Sequence, residues 1–356
     1  MFASRIVGLV CLSFLLLACE MEFVAPPPPD AAIVFPLAET DPVGSEGDAA
    51  DDPVIWVHET IPAASRVIGT DKDFGIEVYD LDGKRLQRIA AGLTNNVDLR
   101  YFDDNARYSA LAAASNRSHN TISLFLVDRQ GHLTWLADNE IDTGLAEPYG
   151  LCMFKNADGM QVFVNDTDGS YQHWGLTVDD SGSGLPTVAA ELWREFAVPS
   201  QPEGCVADDA NERLFLGVEA EGVRTVAASR TTSTELTTLV DIDGTILYAD
   251  VEGMSLYLDG NAGYLVVSSQ GNYSYAVYDR LPPHQYRGSF VVADLEDGSI
   301  DGSGETDGLD VSSANLGPDY GQGMLVVQDG FNTLPSEAQN FKYIPWARIA
   351  SALGLN

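Results

Sequence analysis

Carboxylates set in pairs and short runs are the residues of this chain best suited to chemistry. Asp51 and Asp52, Asp208 and Asp209, Asp250 with Glu252, Glu219 with Glu221, and the stretch from Asp294 to Asp310 each bring acidic groups within a few residues. Hard oxygen donors at this density match calcium, which takes roughly six to eight oxygens from carboxylates and carbonyls. The chain as a whole is acidic, with 53 Asp plus Glu against 19 Lys plus Arg and a formal charge of -34 over 356 residues. Self-repulsion on that scale opposes a compact fold unless cations screen it, so the composition points to a calcium protein. The alternative is acidity that serves only solubility. Nucleic acid is excluded as a partner at this charge.

Other catalytic constellations are missing or incomplete. His58 and Glu59 lack the second histidine of a zincin, and neither a Gly-x-Ser-x-Gly elbow nor a Walker loop occurs. Leu239 to Thr245 (LVDIDGT) resembles the first motif of haloacid dehalogenase-type phosphatases, whose first Asp is a nucleophile at the tip of a strand. That chemistry needs a helix after the loop and a later basic residue to hold phosphate. Here another strand is expected from Thr245 to Tyr257, and no lysine lies between Lys155 and Lys342. A turn between strands is the plainer meaning of these residues.

The elements that must position the acidic groups read as β-strands. Runs such as 75–79, 121–127, 161–165, 213–218, 254–258, 264–268 and 324–327 alternate with Gly, Asn and Asp turns from about Asp51 onward. Spacing near ten residues, kept up over some 300 residues, predicts an all-β sandwich array or propeller. One helix is expected, from Trp346 to Leu353, and no clean repeat sets the number of units.

Ahead of this lies a leader. Arg5 precedes an apolar run from Ile6 to Ala18 that is too short to cross a bilayer, which is the layout of a secretory signal peptide. Leu16-Leu17-Ala18-Cys19 resembles a bacterial lipobox, in which Cys19 is acylated. The expected organisation is a signal peptide at 1–18, a Pro-rich tether at 19–48 carrying Pro26 to Pro29, and a β domain at 49–356. A secreted lipoprotein of a Gram-negative cell envelope is implied, held to a membrane through Cys19. Cys152 and Cys205 then remain, either paired or as two buried thiols.

Eleven segments, in order, resemble the β-propeller phytases from about residue 46 to Trp346. They are DDPVIW (51–56), TDKDFGIEVYDLDG (70–83), NNVDLRY (95–101), ASNRS (114–118), EPYGLCM (147–153), SQPEGCVADD (200–209), ADVEGMSLY (249–257), SSQGNYSYAVYDR (268–280), ETDGLDV (305–311), VVQDG (326–330) and QNFKYIPW (339–346). The resemblance implies a six-bladed β-propeller, several Ca2+ ions on one face, and calcium-dependent hydrolysis of phosphomonoesters of phytate by a monomer.

By the same resemblance Tyr149, Glu203, Asp250, Glu252 and Gln270 line the calcium cluster, with Glu219 close to it. Asp52, Asp98, Asp307 and Asp310 match further acidic positions of that face. Arg117 offers a planar fork for phosphate oxygens and Lys72 a point charge. Lys72, Arg117, Tyr149, Glu203 and Glu219 are the expected catalytic set. The expected mechanism is in-line attack of water acidified by the cations, with no covalent enzyme intermediate. Cys152 follows Tyr149 by three residues and Cys205 follows Glu203 by two, so the resemblance also implies a disulfide between them. Two positions depart from the family: Asp73 stands where a second basic residue is usual, and Thr167 where lysine is usual. They motivate the main alternative, a calcium-binding propeller that captures phosphate or a partner without hydrolysis.

Overall fold

The computed structural model describes residues 24–355. The signal peptide and Cys19 lie outside the described residues. Twenty-six strands form six sheets, and the single α-helix among the described residues, Trp346–Leu353, is the expected one. The innermost strands, in chain order, are Ala50–Trp56, Thr94–Tyr101, Pro148–Asn156, Pro202–Asp208, Val251–Asp259 and Leu309–Ser312. Each pairs antiparallel with the next strand of its own sheet, and the remaining strands follow outward. Each innermost strand also packs beside those of its two neighbours, blade 6 meeting blade 1. This is a closed six-bladed β-propeller.

Burial explains the ring. Six apolar clusters each fill one junction between adjacent blades; Ile68, Val78, Ala112 and Phe125, for example, join blades 1 and 2. A blade buries both faces of its inner strands, so these strands read as nearly continuous apolar runs rather than as alternation. The terminal helix buries Trp346 and Ile349 at the junction of blades 5 and 6.

Residues 24–48, expected as part of a tether, instead complete the propeller. Ala32–Val34 adds a parallel fifth strand to blade 5, and Ala38–Glu39 supplies the outermost strand of blade 6. Residues 31–38 (AAIVFPLA) are apolar enough to prefer burial to solvent, whatever the prolines before them do. Ala25, Val34 and Val43 are buried. Glu39 also meets the fully buried Lys342, which is ringed by Asp301 and Asp329 as well. The ring therefore closes by joining the N-terminal segment to the last blade.

A hidden repeat sets up the site. Pairing of the innermost strand with its neighbour breaks between Ala50 and Pro53, Thr94 and Val97, Pro148 and Leu151, Pro202 and Cys205, and Val251 and Met254. Placing these bulges in register aligns ADDPV, TNNVD, PYGLC, PEGCV, VEGMS and TDGLD, the last running into Leu309–Ser312. A bulge adds one unpaired residue and re-aims its side chain, which is how six strands can point six chosen residues at a common axis.

Candidate metal centre

The first bulge position carries, blade by blade, Asp51, Asn95, Tyr149, Glu203, Glu252 and Asp307. These residues meet across the axis. Asn95 of blade 2 donates to Glu203 of blade 4 at 3.2 Å, and carboxylate oxygens of Glu203, Glu219 and Glu252 lie within 4.8 Å of one another. The next residue is Gly150, Gly204, Gly253 and Gly308 in blades 3 to 6. A Cβ at Gly253 would stand 2.6 Å from the Asp307 carbonyl oxygen, so glycine is what lets neighbouring strands approach here.

On five of the six second strands the residue opposite the bulge braces this arrangement. Ser115 donates to the Tyr149 carbonyl, Asn165 to that of Glu203 at 3.1 Å, Ser268 to Thr306 at 2.8 Å and Gln328 to Ala50 at 3.3 Å, each reaching the following blade. Thr70 instead stays within blade 1, accepting from the Asp52 N–H at 2.9 Å. In blade 4 the position is Gly217. Cys152 and Cys205 form the expected disulfide and tie the strands that carry Tyr149 and Glu203, with Cα atoms 5.6 Å apart.

Electrostatics mark the ring as unbalanced. Neither oxygen of Asp51, which is fully buried, receives a hydrogen bond; Lys72 Nζ stands 3.4 Å from one of them. Glu252 is 3% exposed and its Oε2 has no partner. Burial raises both carboxyl groups well above the usual range, and Glu203 adds to each. Asp307 is pushed up to about 7 by burial against the pull of Lys72, and Glu219 to about 7 by burial and by Glu203. The Tyr149 phenol is raised first by the Glu203 carboxylate and then by burial. Buried polar atoms are almost always satisfied in folded proteins, so orphaned carboxylate oxygens amid like charges call for a cation. The donors are carboxylates, a phenol and an amide, all hard oxygens, and they fit calcium.

Around the ring stand the other expected residues. Lys72 donates to Asp48 at 2.9 Å and Asp307 at 3.0 Å; burial works to lower its pKa, but Asp51, Asp307 and Asp48 outweigh it and raise it. Gln270 donates to Asp307 at 2.7 Å, Gln201 to Glu219 at 2.7 Å, and Asp250 acts electrostatically on Glu219. The Arg117 guanidinium lies 6.0 Å from the Tyr149 ring centroid; among the described residues its buried Nε has no hydrogen-bond partner and its ion-pair partner is Glu147, at 3.9 Å. Asp73 is exposed beside Lys72, and Thr167 hydrogen-bonds Asp166 on a turn of blade 3.

Three expected ligands fall elsewhere. Asp98 and Asp310 sit three residues further along their strands, about 10 Å on, where their oxygens accept backbone N–H groups of the next blade. Asp98 takes Met153 N at 2.7 Å and Asp310 takes Ile55 N at 2.8 Å. Asp52 accepts Val97 N at 3.0 Å. All three line a separate cavity of about 490 Å³ below the ring. They serve as inter-blade clasps, and the ring residue of the Asp51-Asp52 pair is Asp51. Sequence reasoning passed over Asp51 and Asn95 as site residues. The signal that finds them is the sixfold alignment, masked by spacings from 44 residues (51 to 95) to 55 (252 to 307).

The dehalogenase-like motif resolves as a turn. Asp241 ends the outermost strand of blade 4 and pairs with Arg224, while one Asp243 oxygen accepts the N–H groups of Thr245 and Ile246. The strand expected from Thr245 begins only at Val251.

Comparison with known proteins agrees with this geometry. A 3-phytase of Bacillus subtilis (strain 168) is 41% identical over 327 residues, covering 89% of this chain and 84% of that protein. Among solved structures, a chain described as BBS1N in complex with ARL6DN, soaked with mercury, covers 89% of this chain and 99% of its own at 10% identity and a TM-score of 0.50, a likeness of fold alone. A functionally unknown protein from Desulfotomaculum acetoxidans DSM 771 reaches a TM-score of 0.45 at 13% identity, covering 67% of this chain and 71% of its own. The profile of the phytase family matches residues 5–356, and with a 41% identical relative spanning most of both chains, the protein belongs to the phytase family.

Proposed function

We propose that this phytase is a calcium-dependent 3-phytase of the cell envelope, hydrolysing phosphomonoesters of myo-inositol hexakisphosphate. The observation that carries the calcium reading is the set of buried oxygens on Asp51 and Glu252 that accept no hydrogen bond, within a ring of hard oxygen donors. Asp51, Tyr149, Glu203, Glu219, Glu252 and Asp307 would hold the cations, with Asn95, Asp250 and Gln270 beside them. Calcium, when bound, supplies the positive charge that admits a polyanionic ester and acidifies water for attack on phosphorus.

The chain's own residues do the rest. Arg117 presents a guanidinium whose Nε lacks a partner, and a planar fork of this kind takes two phosphate oxygens at once. Lys72 is held against the ring by Asp48, whose side chain is 77% exposed and can give way to a substrate oxygen. Tyr149 positions Arg117 and keeps its phenol protonated beside Glu203. No Ser, Cys or His occupies a ring position, which supports hydrolysis without one of these as a covalent nucleophile.

Secretion and acylation of Cys19 are proposed on the leader from Arg5 to Cys19, and the Cys152–Cys205 bridge suits an oxidising compartment. A single copy suffices, since the ring residues come from blades of one chain. Phosphate release from phytate, measured with Ca2+, with Mg2+ and with EGTA, tests the reading. Release with Ca2+ that EGTA abolishes is expected. Calcium binding without release would favour the capture propeller that Asp73 and Thr167 suggest, and release supported by Mg2+ alone would remove calcium from the mechanism.

A further inference from the structure

Five of the six seams between blades carry a side-chain or covalent clasp near the axis, either from the residue opposite the bulge or from the inner strand itself. The seam between blades 4 and 5 differs in sequence at both places. The residue opposite the bulge is Gly217, and the inner-strand position equivalent to Asp98 and Asp310 is Val206. Neither side chain can hydrogen-bond. A Cβ at Gly217 would come 3.0 Å from the carbonyl oxygens of Val251 and Glu252, so a side chain here would crowd the inner strand of blade 5.

The lower end of this seam is held by the buried Asp208–Arg280 pair, with Nε to Oδ2 at 2.7 Å. At its upper end a backbone bond from the Val251 N–H to the Glu219 carbonyl, at 3.2 Å, crosses beside Glu203 and Glu219 of blade 4 and Glu252 of blade 5, three like charges within 4.8 Å. Charged and with no cation among them, they push the two blades apart at this end. Glu252 is 3% exposed and directs an unpartnered oxygen into this group.

We propose that the upper seam between blades 4 and 5 is fastened by the cation held among Glu203, Glu219 and Glu252, which takes the place of the inter-blade clasp that Gly217 and Val206 leave out. This rests on the calcium reading above. Without metal the top of this seam rests on the Val251 to Glu219 backbone bond and on apolar packing, against the repulsion of the three carboxylates.

Hydrogen exchange of the full chain, followed by mass spectrometry in Ca2+ and in EGTA, tests the seam, with calcium binding measured by calorimetry in the same buffer. Calcium removal should raise exchange in 202–208 and 251–259 by about tenfold or more, and in 94–101 and 148–156 by about threefold or less. Calcium that binds but changes exchange evenly, or most strongly elsewhere, overturns the seam and leaves the calcium reading intact. A chain that binds no calcium overturns both. Val206→Asp supplies an independent check, because it installs the clasp residue of blades 2 and 6 at the open seam. It should narrow the difference in melting temperature between Ca2+ and EGTA, and an unchanged or wider difference overturns the proposal. Should that variant not fold, the exchange pattern decides alone.

Discussion

Two groups of buried carboxylates share the axis of this propeller and have opposite characters. In the upper ring, Asp51 and Glu252 keep oxygens with no hydrogen bond. In the lower channel, Asp98 is met by Met153 N, Leu99 N and Arg100, and Asp310 by Ile55 N, Val311 N and Ser255. A carboxylate that accepts several N–H groups has its charge compensated by the protein and becomes part of the scaffold. One left bare at the same depth is stable only with a proton or a cation. Acidity along the chain therefore does not by itself mark a metal site; the supply of donors around each carboxylate does.

The sharpest way to break this contrast is to neutralise one member of each group. Glu252→Gln should lower phytate turnover by about 100-fold or more at fixed calcium, because a ligand charge is lost where cations must be held. The same variant should melt in EGTA no lower than the parent, since a repelling charge has gone. Near-normal turnover would show that the upper ring is not the metal site. Asp310→Asn should act the other way round. It places an amide where two backbone N–H groups need an acceptor, and should cost about 1–3 kcal/mol of stability by urea unfolding, while the calcium concentration for half-maximal activity stays within about threefold. A large shift in that concentration would return Asp310 to the metal face.

A smaller effect concerns pH. Folding raises Glu219 and Asp307 to about 7, so the metal-free native state binds protons more tightly than the unfolded chain does. The stability contributed by these protons is present below the unfolded value of roughly 4 and is lost as the pH rises through 7. Melting in EGTA should accordingly fall between pH 5 and pH 8, and the fall should be shallower in Glu219→Gln. Calcium should flatten the profile, because it replaces the protons that are lost. Equal slopes in parent and variant would show that the native charge of Glu219 is compensated in some other way.

Most of the fold was legible because strand pattern and turn chemistry are local. The terminal helix, most strands and the all-β class follow from short-range periodicity, and the ordered motifs carried the blade number. The segment at 24–48 was misread because its prolines speak of local stiffness, whereas its partners, blades 5 and 6, lie some 250 to 300 residues away in the chain. In the site, Tyr149, Glu203, Glu219, Glu252, Asp307 and Gln270 were expected from their motifs, and the fold brings them together.

Composition and local pattern thus determined by themselves that this is an acidic all-β protein with oxygen ligands to spare. Which of two adjacent aspartates faces the axis was decided only by the fold, since a bulge displaces the alternation of the strand by one residue and exchanges the faces on which Asp51 and Asp52 lie. So was the division between clasp and ligand, because the Met153 and Ile55 N–H groups that meet Asp98 and Asp310 belong to neighbouring blades 55 residues or more away in sequence and reach them only when the ring closes.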